Sequence, residues 1–224
     1  GTLTIKNTGG TSTTFSGVIS GSGGVTLDSS NTGTTVLGNS ANTYSGATTI
    51  NGGTLSVGVL ANGLSNSSIG ASSNADTNLV LGGGTLKYTG STISTDRNFT
   101  ITTGTTGTID VTIAGTTLTL TGAAAATTGA LTKTGAGTLT LSGTNAYTGT
   151  TTISAGTLQN GASNVISDSS AVQIANSATW DLNGKTETVY SIANAGVSTT
   201  GAIGLGVGTL TIKNTGGTST TFSG

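Results

Sequence analysis

Apolar residues alternate with threonine along most of the chain, in short runs that stop at glycine or asparagine. Leu3-Thr4-Ile5, Leu139-Thr140-Leu141 and Ile109-Asp110-Val111 are examples. An apolar residue at every second position is typical of a β-strand with one buried face. No run has the three- and four-residue spacing that an amphipathic helix needs. The pattern therefore predicts an all-β chain with almost no helix.

Apolar residues at alternate positions of successive strands would all face inwards, and this predicts one core. Because each short strand supplies only one or two of them, we expect this core to be long and thin. The predicted inward residues are Leu3, Ile5, Val25, Leu27, Ile50, Leu55, Val57, Leu79, Leu81, Leu86, Phe99, Ile101, Ile109, Val111, Ile113, Leu118, Leu120, Leu139, Leu141, Ile153, Leu158, Val172, Ile174, Leu182, Leu210 and Ile212.

The sequence repeats itself on three length scales. Residues 1–17 and 208–224 are identical, an offset of 207 residues, and residues 42–55 return in modified form at 145–158, an offset of 103. A shorter beat of about 20–22 residues is the length of one solenoid coil. A sandwich or a closed barrel would need hairpins and would not explain a coil-sized beat. The repeats therefore favour a parallel β-solenoid.

These repeats predict a domain organisation and a set of partners. We expect residues 1–207 to form one long solenoid unit made of two related halves, with residues 208–224 starting the next identical unit of a tandem array. The principal partners would then be further copies of the same repeat, stacked head to tail, with side-by-side bundling as a second form of contact.

Residues 132–161, TKTGAGTLTLSGTNAYTGTTTISAGTLQNG, resemble the autotransporter-associated β-strand repeat in passenger regions of very large bacterial surface proteins. Residues 79–99 and 180–196 are similar to the segments that separate such motifs. The resemblance implies a right-handed parallel β-helix, exposed outside a bacterial cell or on its surface. The first-half copy, GTTVLGNSANTYSG at residues 33–46, has one extra residue, which changes the expected length of one turn.

The composition includes few residue types that could catalyse a reaction or bind a metal. Only 6% of residues are charged, the net charge is −1, and the chain contains no Cys, His, Pro or Met. The balance gives no basic face for nucleic acid or anionic lipid. No apolar run is long enough to span a bilayer as a helix. The absence of Cys and His removes disulfides, thiolate metal sites and the commonest general base. We therefore predict no catalytic, cofactor-binding or metal-binding residues, and no cofactor.

The conspicuous aromatic residues have structural interpretations. Tyr44 and Tyr147 occupy equivalent places in the two halves, and a packing or turn-stapling role is favoured over a sugar-stacking ladder because about five coils would separate them. Trp180 shares parity with Leu182, which favours a core position over a binding platform.

Several charged residues are candidates for a functional site. Asp96 and Arg97 are adjacent, so their side chains should point to opposite faces, and Asp110 should point to solvent. Asp181 and Glu187 could approach each other across a turn, but no third catalytic group accompanies them. Asp28 follows Gly-rich sequence without the nine-residue repeat of calcium-binding β-rolls.

Three classes of function stay open. The first is a structural filament or stalk, and the second is an adhesin or another binding module for ice or glycans. The third, carbohydrate processing, would need clustered carboxylates, whereas the acids here are scattered. Thr-x-Thr steps such as Thr2-Leu3-Thr4 are typical of ice-binding solenoids, but their positions vary along the sequence, which argues against one regular threonine face. We favour the structural class.

Overall fold

The computed structural model describes residues 1–196 and 200–214, which form a parallel β-solenoid of about nine turns. A single 3-10 turn at Asp76–Asn78 is the helical element in this part of the chain. In chain order the strands are β1 (Leu3–Ile5), β2 (Ser12–Phe15), β3 (Val25–Leu27), β4 (Thr34–Leu37), β5 (Thr48–Ile50), β6 (Thr54–Val57), β7 (Leu79–Leu81), β8 (Thr85–Tyr88), β9 (Ile93–Thr95), β10 (Thr100–Ile101), β11 (Thr106–Val111), β12 (Thr117–Leu120), β13 (Ala130–Thr134), β14 (Thr138–Leu141), β15 (Thr151–Ile153), β16 (Thr157–Asn160), β17 (Ala171–Ile174), β18 (Thr179–Asp181), β19 (Glu187–Val189), β20 (Ser191–Asn194), β21 (Ala202–Gly204) and β22 (Leu210–Ile212).

The strands form three walls around the core. The central wall has nine strands in the order β2-β4-β6-β8-β11-β13-β15-β17-β20. The first wall contains the sheet β1-β3-β5-β7-β10 and, nearer the other end, the pair β19-β22; β19 leads into the central wall as β1 does. The third wall has the order β9-β12-β14-β16-β18-β21. All of these strand pairs are parallel, which confirms the predicted solenoid.

Turn length varies while the register of the walls is kept. Leu131 pairs with Thr151 and Thr132 with Thr152, a rung of 20 residues. Thr54, in contrast, pairs with Thr85, 31 residues further on. The additional residues leave the wall after β6 and return at β7. The strands keep a fixed register, whereas the loops between them vary in length. The repeat length in the sequence is therefore only approximately constant.

Most of the predicted inward residues are buried in one continuous core. Three predictions were wrong, since Leu3, Ile113 and Ile212 are 39%, 47% and 49% exposed, and Leu210 is half-buried. Leu3 and Ile212 lie in the outermost described rungs, where one neighbour is missing from the described part of the chain. Ile113 lies beyond the end of β11, where the alternation continues in the sequence but the backbone has already entered a turn.

Candidate functional site

A buried asparagine ties three rungs together in each half of the chain. Asn42 accepts a hydrogen bond from the Ile19 amide at 2.8 Å and donates to the Ser68 carbonyl oxygen at 2.9 Å. Asn145 accepts from the Ala124 amide at 2.9 Å and donates to the Val165 carbonyl oxygen at 2.8 Å. A side-chain amide suits this position because it offers an acceptor and donors together.

Two residues after each asparagine, a buried tyrosine is held by a threonine four residues further on. The hydroxyl oxygens of Tyr44 and Thr48 lie 2.7 Å apart, and those of Tyr147 and Thr151 lie 2.8 Å apart. Burial raises the pKa of Tyr44 to about 12 and raises the pKa of Tyr147 further, because the charged phenolate would be poorly solvated. The predicted packing and stapling role is confirmed.

The glycine two residues after each tyrosine lies against the preceding rung. A Cβ atom at Gly46 would be 2.5 Å from the carbonyl carbon of Gly23, and one at Gly149 would be 2.3 Å from the carbonyl oxygen of Gly129. These distances are too short for any side chain. The spacing Asn-x-Tyr-x-Gly therefore encodes a rung bridge, a staple and a close backbone contact.

The corner that precedes each tyrosine motif is built differently in the two halves. In the first half, the Asn31 amide donates to the carbonyl oxygens of Ile5 at 2.7 Å and Asp28 at 2.9 Å. In the second half, the buried ammonium of Lys133 donates to the carbonyl oxygens of Thr134 and Gly135 at 2.7 and 2.9 Å, and to Ala155 at 3.1 Å. Burial lowers the pKa of Lys133 to about 8, and nearby Asp110 limits the decrease.

Arg97 fixes the long loop between β6 and β7. The guanidinium group is buried and donates to five carbonyl oxygens and one hydroxyl of this loop, including the carbonyl oxygens of Ala61 and Gly70, both at 2.9 Å, and the Ser72 hydroxyl at 2.9 Å. Desolvation lowers the pKa of Arg97. Asp96 points away from it and accepts a hydrogen bond from the Gly63 amide at 2.7 Å, as the predicted opposite facing requires.

Trp180 and Glu187 meet at one buried asparagine. The Trp180 indole N–H donates to the side-chain oxygen (Oδ1) of Asn160 at 3.0 Å, and the side-chain Nδ2 of Asn160 donates to the Glu187 carboxylate at 2.7 Å. The same carboxylate accepts from the backbone amide of Val165 at 2.9 Å. Burial raises the pKa of Glu187, and these hydrogen bonds limit the increase. The core position of Trp180 is confirmed.

The carboxylates considered as candidate sites have separate partners. Asp181 faces outwards and accepts from the Gln159 amide at 2.9 Å, whereas Glu187 is buried. Asp110 is half-buried on an outer face and accepts from the Thr112 hydroxyl at 2.9 Å. Asp28 lies 3.7 Å from Lys6, and hydrogen bonds from Ser30, followed by the Lys6 charge, lower the pKa of Asp28.

Sequence reasoning missed the three buried polar residues around which these clusters form: Arg97, Lys133 and Glu187. Lys133 follows Leu131 at the inward parity, which was a usable signal. Arg97 also shares the parity of Phe99. At these inward positions the charged ends of Arg97 and Lys133 reach the backbone carbonyl oxygens of turns.

The outer face of the central wall carries a column of threonines. Its members occupy corresponding positions in six successive strands and are half-buried: Thr34, Thr54, Thr85, Thr108, Thr132 and Thr152. The sequence positions of the threonines vary and argued against one regular threonine face, but on this wall the threonines do align. Loops absorb the variation in sequence spacing, so the register stays constant.

The rest of the described surface offers little chemistry. A shallow groove of about 430 Å³ crosses the first three rungs and is lined by glycine, threonine, serine and alanine. Within residues 1–196 and 200–214, no three acidic side chains lie close enough together to hold a metal ion. No helix in this part of the chain has the length and hydropathy of a membrane span.

Comparisons with known proteins agree with this geometry. A family described as passenger-associated-transport-repeat matches residues 30–57 and 131–159, which contain the two tyrosine motifs. An adhesin autotransporter, BmaC of Brucella suis biovar 1 (strain 1330), is 44% identical over 183 residues, which are 81% of this chain and 5% of that protein. No solved structure matches the chain.

Residues 30–57 and 131–159 are two passenger-associated-transport-repeats, and over most of its length the chain is similar to a stretch of an autotransporter adhesin. This places it outside the cell or on its surface. The chain spans about a twentieth of the length of the Brucella relative.

Proposed function

We propose that this segment is a non-catalytic, rigid spacer in a surface-exposed passenger, and that it continues head to tail into further copies of itself. The observation that carries the proposal is the return of the first strand's sequence at the same wall. β1 and β22 are both Leu-Thr-Ile, and each lies in the first wall.

The path from β1 to β22 supports a constant rise. Strand pairing leads from β1 to β10, and the Phe99–Ala124 bridge and backbone hydrogen bonds near Ala146, Val165 and Thr186 lead on to β19 and β22. This makes nine steps, or about 43 Å at a strand spacing of ~4.8 Å. A unit of residues 1–207 would therefore add about 43 Å of rod. Residues 215–224 lie outside the described residues.

The distribution of acidic groups supports a non-catalytic role. General acid–base chemistry needs two titratable groups aimed at one reacting atom. Asp181 faces outwards from the third wall, Glu187 is buried behind the first wall, and the two have different hydrogen-bond partners. The two most buried cations, Arg97 and Lys133, are bound to backbone carbonyl oxygens, so neither is directed at a cleft.

The spacer proposal is tested with arrays of one, two and three 207-residue units joined in sequence. We expect small-angle scattering and electron microscopy to show straight rods whose length increases by about 43 Å per unit. Beads separated by flexible joints, or a length that does not scale with unit number, would contradict the proposal. A continuous solenoid should also unfold at a higher temperature as units are added, because each new interface adds nearest-neighbour stabilisation.

A second candidate function is adhesion to an external surface. The Brucella relative is named as an adhesin, and the threonine column offers a regular array of hydroxyl and methyl groups. Ice is a poor match, because Lys87 and Asp110 interrupt the parallel column two residues further along each strand. A glycan would have to bind this face without stacking on an aromatic ring, because no outward position of its nine strands is aromatic. Binding to glycan arrays, compared with binding by a Thr85→Lys/Thr132→Lys variant, separates adhesion from a purely mechanical role.

A further inference from the structure

The threonine column on the outer face of the central wall is symmetric about its own midpoint, which lies between β8 and β11. The threonine column runs through β4, β6 and β8 on one side of the midpoint and through β11, β13 and β15 on the other. The neighbouring column contains Ser56, Lys87, Asp110 and Thr134 in successive strands. Lys87 and Asp110 therefore lie on the two strands that flank the midpoint.

These two residues carry the only charges among the outward positions of the nine strands, all of which lie in the described chain. Although they are in adjacent rungs, they do not form an ion pair with each other. The ion pairs of the described residues join Lys6 to Asp28 and Lys213 to Asp168. Lys87 has no described hydrogen bond, so its ammonium group is available to a partner.

We propose that the central wall is a self-association surface, on which a second copy of this chain packs face to face with its solenoid axis antiparallel. A two-fold axis that runs along the strand direction, midway between β8 and β11, places Lys87 opposite Asp110 of the second copy. The same operation places Asp110 opposite Lys87 of the second copy. The interface is isologous, so each contact occurs twice.

The threonine column is compatible with such packing. The same axis places Thr85 opposite Thr108 of the second copy, and Thr34 opposite Thr152 of the second copy. Small side chains repeated at ~4.8 Å on flat, in-register strands are the geometry from which interdigitated sheet interfaces are built. Valine, alanine, serine and threonine occupy nearly all the remaining outward positions, so no bulky side chain holds the two walls apart.

The charges also select one register. If the axis moved by half a rung to pass through β8, Lys87 would face Lys87 of the second copy. If it moved by half a rung to pass through β11, Asp110 would face Asp110 of the second copy. Like charges facing each other are unfavourable, so the pair acts against these misalignments while it favours the centred arrangement.

The size of the face predicts weak pairing of single segments. The axis pairs eight of the nine strands, β2 to β17, and at ~4.8 Å spacing and about four residues of width these would bury about 1,000 Å² in total, near the lower limit for specific interfaces. In an array, each further unit pairs at high effective concentration, so weak contacts would add up to stable side-by-side attachment between passengers. This inference concerns a face that the spacer proposal does not use.

The first test uses cross-linking, because the chain contains no cysteine. Thr34→Cys and Thr152→Cys variants of the 224-residue chain are mixed and treated with a short bis-maleimide, whose reach is close to the spacing of about 10 Å between packed sheets. We expect cross-linked heterodimers from the mixture and little cross-linking of either variant alone. Thr138→Cys and Thr157→Cys, on the third wall, serve as the matched control pair.

The second test changes the charges. Lys87→Asp and Asp110→Lys should each weaken dimerisation by about tenfold or more in sedimentation experiments, and the double swap should restore it because the opposite charges again face each other. Circular dichroism checks that each variant is folded.

The proposal is overturned if the Thr34 and Thr152 cysteines cross-link no better than the control pair. It is equally overturned if each variant links mainly to itself, as parallel packing requires, or if the double swap does not recover pairing. Rod length per unit is measured independently, so this inference can fail while the spacer proposal stands.

Discussion

The two transport repeats share their interior and differ at their edges. In both, an asparagine bridges three rungs, a tyrosine binds a threonine, and a glycine lies against the preceding rung. The corner before the motif uses Asn31 in one copy and Lys133 in the other. After the motif, the first copy has a loop fixed by Arg97, and the second has a tight turn beside Glu187.

This comparison separates two kinds of requirement. Backbone groups of adjacent rungs sit at a fixed spacing, so the residues that bridge them have little freedom. Turns need only to satisfy their own carbonyl and amide groups, and neutral amides, ammonium groups, guanidinium groups or carboxylates can all do so. The residues that the two repeats share are therefore mainly the bridging residues, whereas the buried charged residues differ from one turn to the next.

The largest expected effect is a loss of local stability in the loop that Arg97 fixes, which only the first half has. Arg97→Met should destabilise residues 61–72 by about 3–5 kcal/mol, because it leaves several buried carbonyl oxygens without a donor. Amide hydrogen exchange measures the local free energy of opening. Because each solenoid rung contacts mainly its neighbours, we expect exchange around the second repeat to change little.

Lys87→Met is the matched control for Arg97→Met, since it also removes a cation but does so at an outward position. It should change the exchange of residues 61–72 by less than about 0.5 kcal/mol. If Arg97→Met leaves this exchange unaltered, the guanidinium group does not hold the loop and the comparison between the halves loses its main difference.

The shared bridge should respond equally in both copies. Asn42→Ala and Asn145→Ala should each cost about 2–3 kcal/mol, because each removes a buried donor and acceptor between rungs. Urea unfolding measures the cost, with Asn66→Ala as a control at an exposed asparagine. A large cost in one copy and none in the other would show that the bridges are not equivalent.

Much of the fold could be predicted because the strand pattern is local. Alternation placed Leu55, Leu139 and Ile153 in the core, and the coil-sized beat identified the parallel solenoid. It failed at Ile113, because a strand end is set by a turn whose start the alternation does not mark. The sequence spacing of threonines also obscured the regular column, since loop length and register are independent.

The buried polar clusters could be predicted only in part. The equivalence of Tyr44 and Tyr147 followed from the 103-residue offset, and their packing role followed from their separation. The partners of Arg97 and Glu187 did not, because they lie in loops 25 to 36 residues before Arg97 and in residues 21 to 27 positions before Glu187. Such contacts depend on the path of a loop, which has no periodic sequence signal.

The corners should differ in their response to pH. Lys133 has a folded pKa of about 8, against about 10.5 in the unfolded chain, so between these values the unfolded state binds more protons. Stability should therefore rise as the pH is raised from 7 to 10, by on the order of 2 kcal/mol. Urea unfolding at both pH values checks this. Lys133→Met should abolish the rise, whereas Lys87→Met should keep it; a rise of equal size in Lys133→Met would contradict the assignment.

The smallest and finest distinction concerns the two tyrosine staples. Tyr44→Phe and Tyr147→Phe should each cost about 1 kcal/mol at neutral pH, the usual net value of one hydrogen bond. Burial raises both folded pKa values above the unfolded value of about 10, so ionisation favours the unfolded chain and stability falls as the pH rises above 10. Each phenylalanine variant lacks this loss, so the difference in unfolding free energy between the variant and the parent chain should shrink in strong alkali.

The Arg97 charge lowers the pKa of Tyr44, whereas the Glu187 charge raises the pKa of Tyr147, so Tyr44 should ionise first in an ultraviolet titration. Arg97→Met should bring the two titrations closer together, and if the order of ionisation were reversed in the parent chain, the buried charges would not distinguish the staples.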